Sequence, residues 1–208
     1  MKCLIVAGGA TDSDELIKSE VSKADYIICA DSGYDKLSRL NIKPDLLLGD
    51  FDSINDFKSV SKDVEILKFD VRKNFTDSEL AVIEAVKRNP TEVTILAGIG
   101  TRLDHSISNV FLLEKLFREG IKGKIINNYN EIIYLEGKMI IDNNGYKYIS
   151  IIPLDKEGMQ ISTVGMAYEL YDERIDFSST RGISNEILGK EAEIILHSGR
   201  ALVIKSHD

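Results

Sequence analysis

The chain has no tryptophan and, in 208 residues, only two cysteines, three prolines and three histidines. Two thiols cannot build a disulfide framework. Cys3 and Cys29 lie inside the apolar runs KCLIVAGG and YIICAD, so they are expected to be buried, free and in a reducing compartment. His105, His197 and His207 show neither i, i+4 spacing nor cysteine neighbours, which argues against zinc. No apolar stretch approaches the roughly 18 residues that a spanning helix needs, and the run after Met1 is too short for a signal segment. A soluble, cytoplasmic protein with no membrane partner is expected. Positive charge is also in deficit: 26 Lys and Arg against 34 Asp and Glu leave a net charge of −8. Binding to nucleic acid draws most of its affinity from neutralised phosphates, so that partner is not expected. A polyphosphate ligand stays compatible if a divalent cation stands between it and the carboxylates.

What is present reads as a globular α/β protein. From Met1 to about residue 125, short β-branched runs (CLIVAG, YIICAD, DLLLGD, VEILKFD, EVTILAG) alternate with segments whose apolar residues recur every three or four positions. That alternation predicts βαβ units around a parallel sheet. Thr76 and Glu79 form a capping-box pattern at the head of one helix, and Gly120 closes another. After about residue 121 the texture changes to short strands separated by Asn, Gly and Asp turns, from GKIINN to RALVIKS. HSGRA reads as a hairpin turn between the last two strands, with Gly199 free to take positive φ. The expected architecture is an α/β domain over 1–125 followed by a small antiparallel β-sandwich over 126–208. Residues 146–152 place apolar groups on more than one face, which would find cover in a homodimer joined through the β-domains.

Strands of a parallel sheet end on one edge, and ligands bind outside those ends. Asp31 follows YIICA, Asp50 and Asp52 follow DLLLG, Asp104 follows EVTILAGIGTRL, and Asp77 opens a helix. Each alone is an ordinary turn or capping residue. Together they crowd one rim, which a hard divalent cation would neutralise. Alternation along an extended backbone would put Asp50 and Asp52 on one side and Phe51 inside, two oxygen ligands suited to magnesium. The stretch from Ala97 to Arg102 leaves a strand and enters a helix, so its N–H groups and Arg102 could hold phosphate; it is also a plain strand-to-helix turn. Arg72 and Lys73 precede Thr76 and Asp77, where cations could meet phosphate charge, or simply lie in a solvated loop.

These pieces carry a resemblance. ADSG, PDLLLGDFDS, the K-x-x-T-D-x-E of residues 73 to 79, the GxGxRxDH of 98 to 105 and the GISNE of 182 to 186 resemble the thiamine pyrophosphokinase family in order and spacing, over most of the chain. Two positions depart from the family pattern: Asn74 stands where an acid is frequent, and Thr101 where glycine is. The resemblance implies pyrophosphoryl transfer from ATP to the thiamine hydroxyl, with AMP released. It implies Asp50, Asp52 and Asp77 at Mg2+ and the attacking alcohol, with Arg102 on the phosphates. Lys73 and Thr76 would hold the triphosphate of ATP, Asp31 and Asp104 would support it, and Ser184 and Asn185 would contact thiamine. It also implies a homodimer that binds thiamine between subunits. A magnesium phosphohydrolase and a non-catalytic nucleotide sensor are the competing readings of the same carboxylates.

Overall fold

The structure is a computed structural model describing residues 1–10, 12–52, 54, 60–70 and 74–208. The chain divides into two compact units, Met1–Asn128 and Tyr129–Asp208. In the first, β1 (Lys2–Val6), β2 (Tyr26–Ala30), β3 (Leu46–Gly49), β4 (Glu65–Lys68), β5 (Glu92–Leu96) and β6 (Lys122–Ile126) pair in parallel in the order β6-β5-β1-β2-β3-β4. The near-continuous apolar runs of β1, β2, β3 and β5 follow from burial on both faces of a parallel sheet. The edge strand β4 reads EILK and is largely exposed, which suits a strand with an unpaired side.

The helices lie where the periodicity puts them: α1 (Asp14–Lys23), α2 (Gly33–Arg39), α3 (Asp77–Val86) and α4 (Leu103–Arg118). Ser13 caps α1 by accepting from the Leu16 N–H at 3.3 Å. Thr76 caps α3 by accepting from the Glu79 N–H at 3.2 Å, while the Glu79 carboxylate pairs with Lys115 at 3.0 Å. Gly120, at φ 71°, stops α4. Cys3 and Cys29 are free and buried, and burial pushes the Cys3 thiol up to about 12. Among the described residues no helix is long and apolar enough to cross a membrane.

One strand changes sides relative to expectation. GKIINN, grouped with the second half by its turn-rich surroundings, holds all of β6 but its first residue; β6 is the outer parallel strand, with Glu92–Leu96 pairing one for one with Lys122–Ile126.

The second unit is antiparallel, with β7 (Asn130–Asp142), β8 (Tyr148–Pro153), β9 (Met159–Val164), β10 (Glu173–Ile175) and β11 (Glu191–Ser206). Here the sequence reading needs correction. NEIIYLEG and KMIIDNNG are one strand, β7, and AEIILHSG and RALVIKS are one strand, β11. HSGRA is an irregularity inside β11, with a register shift between Ile195 and Arg200, and not a hairpin turn. Gly137 at φ 76° and Gly199 at φ 85° sit in this irregular stretch of the two strands, and a bulge demands the same left-handed backbone that a turn does. Beyond it β11 changes neighbour, from β9 to β8. AYELYDE contributes only Glu173 to a strand. Ile149 and Ile151, expected to need a subunit partner, are buried in the unit's own core with Met159, Ile161 and Ile194.

Candidate active site

The strand order places the site. From β1 the chain runs through β2 and β3 to β4, then returns to the other flank of β1 for β5 and β6. Crossovers leaving β1 and β5 therefore part at a switch point, where a crevice opens beyond the strand ends. A cavity of about 730 Å3 lies there, lined by residues 7–10 after β1, Ala30 at the end of β2 with Asp31 and Ser32 after it, Asp50 after β3, and Gly98 and 100–102 after β5. The first turns of α3 and α4 complete it with Thr76, Asp77, Ser78 and His105, so two helix N-termini border one space.

Three carboxylates meet at its edge. One oxygen from each of Asp31, Asp50 and Asp52 lies within 4.8 Å of the others, with Asp31 and Asp50 half-buried and Asp52 exposed. Extended alternation is not what brings them together. Phe51 takes φ 69° and packs on the core, and the Asp52 N–H donates to Asp50 Oδ1 at 3.1 Å, so a tight turn gathers both acids. Asp31 sits at φ 46°, its N–H donating to the Leu48 carbonyl at 2.8 Å. Gly49, at φ 145°, leaves room for it: a Cβ there would stand 3.2 Å from the Asp31 Cβ. Three clustered carboxylates are a hard oxygen donor set that fits Mg2+ and suits no soft metal.

Across the switch point, the loop from Ala97 to Arg102 has the carbonyls of Ala97, Gly98, Ile99, Gly100 and Arg102 engaged. Gly9 and Ala10 N–H groups donate to the carbonyls of Ala97 at 2.9 Å and Ile99 at 3.2 Å. Asn109 Nδ2 donates to Gly98 at 2.7 Å, and Ser106 Oγ lies 3.2 Å from the Gly100 carbonyl and 3.0 Å from that of Arg102. Two of its N–H groups are also taken, that of Ala97 by Asp12 and that of Gly100 by Ser106 Oγ at 3.0 Å, so an anion would meet the N–H groups of the remaining loop residues.

The chain matches the thiamin pyrophosphokinase catalytic domain model over residues 17–125 and the thiamin pyrophosphokinase vitamin B1 binding domain model over 138–201. It is 30% identical over 209 residues to a thiamine pyrophosphokinase of Bacillus subtilis, covering 98% of each chain. The crystal structure of a thiamine pyrophosphokinase from B. subtilis superposes with a TM-score of 0.89 at 27% identity, over 100% of both chains. That of a thiamin pyrophosphokinase family protein from Enterococcus faecalis does so with a TM-score of 0.88 at 25% identity, again over 100% of both. The chain belongs to the thiamin pyrophosphokinase family.

Within this enzyme the residues singled out from sequence fall into three groups. Asp31, Asp50 and Asp52 form the cluster, with Asp77 and Thr76 on the wall of the same cavity. Arg102 and Asp104 pair with each other: Nη2 to Oδ2 at 2.7 Å and Nε to Oδ1 at 3.3 Å. That guanidinium, with the His105 N–H, holds the exposed Asp104 carboxyl down to about 2, so the pair stays charged across the physiological range. Lys73 lies outside the described residues. In the second unit, Ser184 takes φ 59° and its N–H donates to Ser150 Oγ at 3.1 Å. Asn185 is buried, and its carboxamide accepts from the Tyr168 N–H at 3.0 Å and donates to the Tyr168 carbonyl at 2.7 Å. Sequence reasoning missed Asp12, Ser106 and Asn109, which brace the loop. Ser106 and Asn109 carried a signal, since they fall on the buried face of α4 directly after the RxDH stretch.

Proposed function

We propose that the enzyme transfers the pyrophosphoryl group of ATP to the hydroxyl of thiamine, giving thiamine diphosphate and AMP, with Mg2+ required. The observation that carries this reading is one cavity bordered by clustered carboxylates, by the loop from Gly98 to Arg102 and by two helix N-termini. Asp50 and Asp52, with Asp31 beside them and Asp77 on the wall of the same cavity, would hold Mg2+, which when bound would neutralise triphosphate charge and fix its orientation. The loop N–H groups, the Thr76 hydroxyl and Lys73 bind phosphate oxygens. Asp104 fixes the Arg102 guanidinium through Nε and Nη2, and Nη1 is assigned to phosphate. The hydroxyl oxygen bonds to the β-phosphorus as the bond from that phosphorus to the α,β-bridging oxygen breaks. AMP leaves with the electron pair, and the hydroxyl proton is released. Position and charge neutralisation supply most of such a rate enhancement. Phosphorus NMR of the enzyme with ATP, Mg2+ and thiamine should show AMP rising in step with thiamine diphosphate. ADP or free phosphate as the product would replace this reading with a simple kinase or a phosphohydrolase.

Thiamine recognition falls to the second unit in this reading, through residues 182–186. Asn185 acts there by holding the backbone of Tyr168, a residue 66% exposed whose ring is suited to a cationic thiazolium. Asn185→Ala should raise the apparent thiamine KM about tenfold and leave the ATP KM unchanged. Tyr168→Ala should match it, and Tyr168→Phe should not. An unchanged thiamine KM with a lowered melting temperature would reduce Asn185 to a turn-holding residue.

The proposal includes a homodimer. Tyr171 and Leu188 of the second unit are 77% and 74% exposed, Ile140 is 62% exposed, and twofold pairing is the commonest way to cover such side chains. Light scattering at micromolar concentration should give twice the 23.2 kDa of the chain. Full activity at the single-chain mass would overturn the dimer.

A further inference from the structure

We infer that Asp12 is a positioning residue for the phosphate loop, acting through Ala97. The inference rests on reading the cavity as the ATP site.

Asp12 belongs to no motif and lines no part of the cavity, yet it is 7% exposed. Its Oδ2 accepts from the Ala97 N–H at 3.1 Å, and the Asn128 backbone N–H donates to the same carboxylate. Asn128 answers in kind, its side-chain oxygen accepting from the Ser13 N–H at 3.1 Å. One carboxylate thus ties together the segments that leave β1, β5 and β6. Burial pushes the Asp12 carboxyl up, while the two N–H donors and the charge of Lys36, itself 8% exposed, pull it back.

Ala97 is the residue that needs holding. It sits at φ 52°, a left-handed conformation that its Cβ disfavours, and it opens the loop whose glycines and Arg102 line the cavity. Among the described residues, three bonds hold the two peptide groups that flank it: its N–H on Asp12, its carbonyl on the Gly9 N–H, and the Leu96 carbonyl on the Ala7 N–H, so the bond to Asp12 is the one of the three that ends on a side chain. Without the carboxylate, Ala97 can relax toward negative φ, and every N–H after it turns with it. Asparagine at position 12 is a sharp test, because it keeps the size but removes the charge and puts an amide NH2 in place of one carboxylate oxygen.

Titration of the enzyme with Mg2+ and a non-hydrolysable ATP analogue, read by calorimetry well below the melting temperature, should show Asp12→Asn binding at least about tenfold more weakly than wild type. Its thiamine KM should be unchanged. Adding Ala97→Gly to Asp12→Asn should restore part of the affinity, since glycine accepts positive φ without support. A residue that merely stabilised the fold would lower the melting temperature of both variants and give no such rescue. Should Asp12→Asn fail to fold, Ser13→Ala serves: it leaves the Ser13 N–H on Asn128 in place, so it should disturb the cap of α1 while nucleotide affinity holds, and Asp12→Glu, which keeps the charge but moves the oxygens, should weaken binding. Wild-type affinity in Asp12→Asn or Asp12→Glu overturns the role of Asp12 alone. A wild-type enzyme that binds no nucleotide overturns the reading of the cavity, and this inference with it.

Discussion

Asp52→Asn should lower turnover by about a hundredfold or more at saturating magnesium, the scale of losing one group that stabilises transition-state charge, and Asp50→Asn should do the same. Both should fold. The oxygens concerned lie within 4.8 Å of each other and of Asp31, so without a cation the three carboxylates repel. Removing one charge relieves that repulsion, and the melting temperature in the absence of metal should hold or rise. The local turn survives as well: in Asp50→Asn the amide oxygen can still accept from the Asp52 N–H, now at 3.1 Å from Oδ1. Loss of turnover with retained stability is the signature of a group serving the reaction rather than the fold. Asp31→Asn and Asp77→Asn extend the test. If the metal set is the cluster seen here, Asp31→Asn weakens Mg2+ binding more than Asp77→Asn does; the reverse order moves the metal toward α3. Near wild-type turnover in both Asp50→Asn and Asp52→Asn would sink the metal assignment altogether.

The parallel sheet was legible because its strands are buried on both faces and so must be apolar at nearly every position, as LLLG and EVTIL are. Helix starts were legible because capping is local chemistry, and Thr76 reaches only to Glu79. What failed was decided at long range. Gly199 permits a hairpin turn and a bulge equally, and only the pairing of both halves of β11 with β7 tells them apart. The Ser-Asn of GISNE, which the resemblance ties to thiamine, showed from sequence two polar side chains in a loop; that the Asn185 carboxamide also holds the backbone of Tyr168, 17 residues away, was not legible there. Asp31 was given a supporting role by the resemblance, away from Asp50 and Asp52. It joins them because β2 and β3 are adjacent, with Ala30 opposite Leu48. Asp12 gave no sign at all, since a carboxylate in GGATDSDE reads as one more acidic residue ahead of a helix.

Gly9→Ala should cost about a hundredfold in kcat/KM for ATP, the loss that follows a displacement of about 1 Å in a positioned group. A Cβ on Gly9 would stand 2.2 Å from the Ala97 carbonyl oxygen and 3.1 Å from that of Ile99. Both atoms are backbone, so no rotamer can yield, and the segments after β1 and β5 must separate. That movement stretches the Gly9 to Ala97 and Ala10 to Ile99 hydrogen bonds, which now hold those carbonyls at 2.9 and 3.2 Å. Released carbonyls would compete for the space where the loop presents N–H groups, and a phosphate meeting carbonyl oxygens is repelled. Neighbouring glycines grade the effect. At Gly8 the added Cβ would meet Ser32 Oγ at 2.6 Å, the end of a side chain that can rotate, so Gly8→Ala should cost far less. At Gly189 nothing lies within 4 Å, and Gly189→Ala should leave kinetics and melting temperature at wild-type values. Steady-state kinetics on the folded fraction of all three variants, below their melting temperatures, gives the order. Gly9→Ala with wild-type kcat/KM would mean that the two segments can part without consequence, and that phosphate is bound elsewhere.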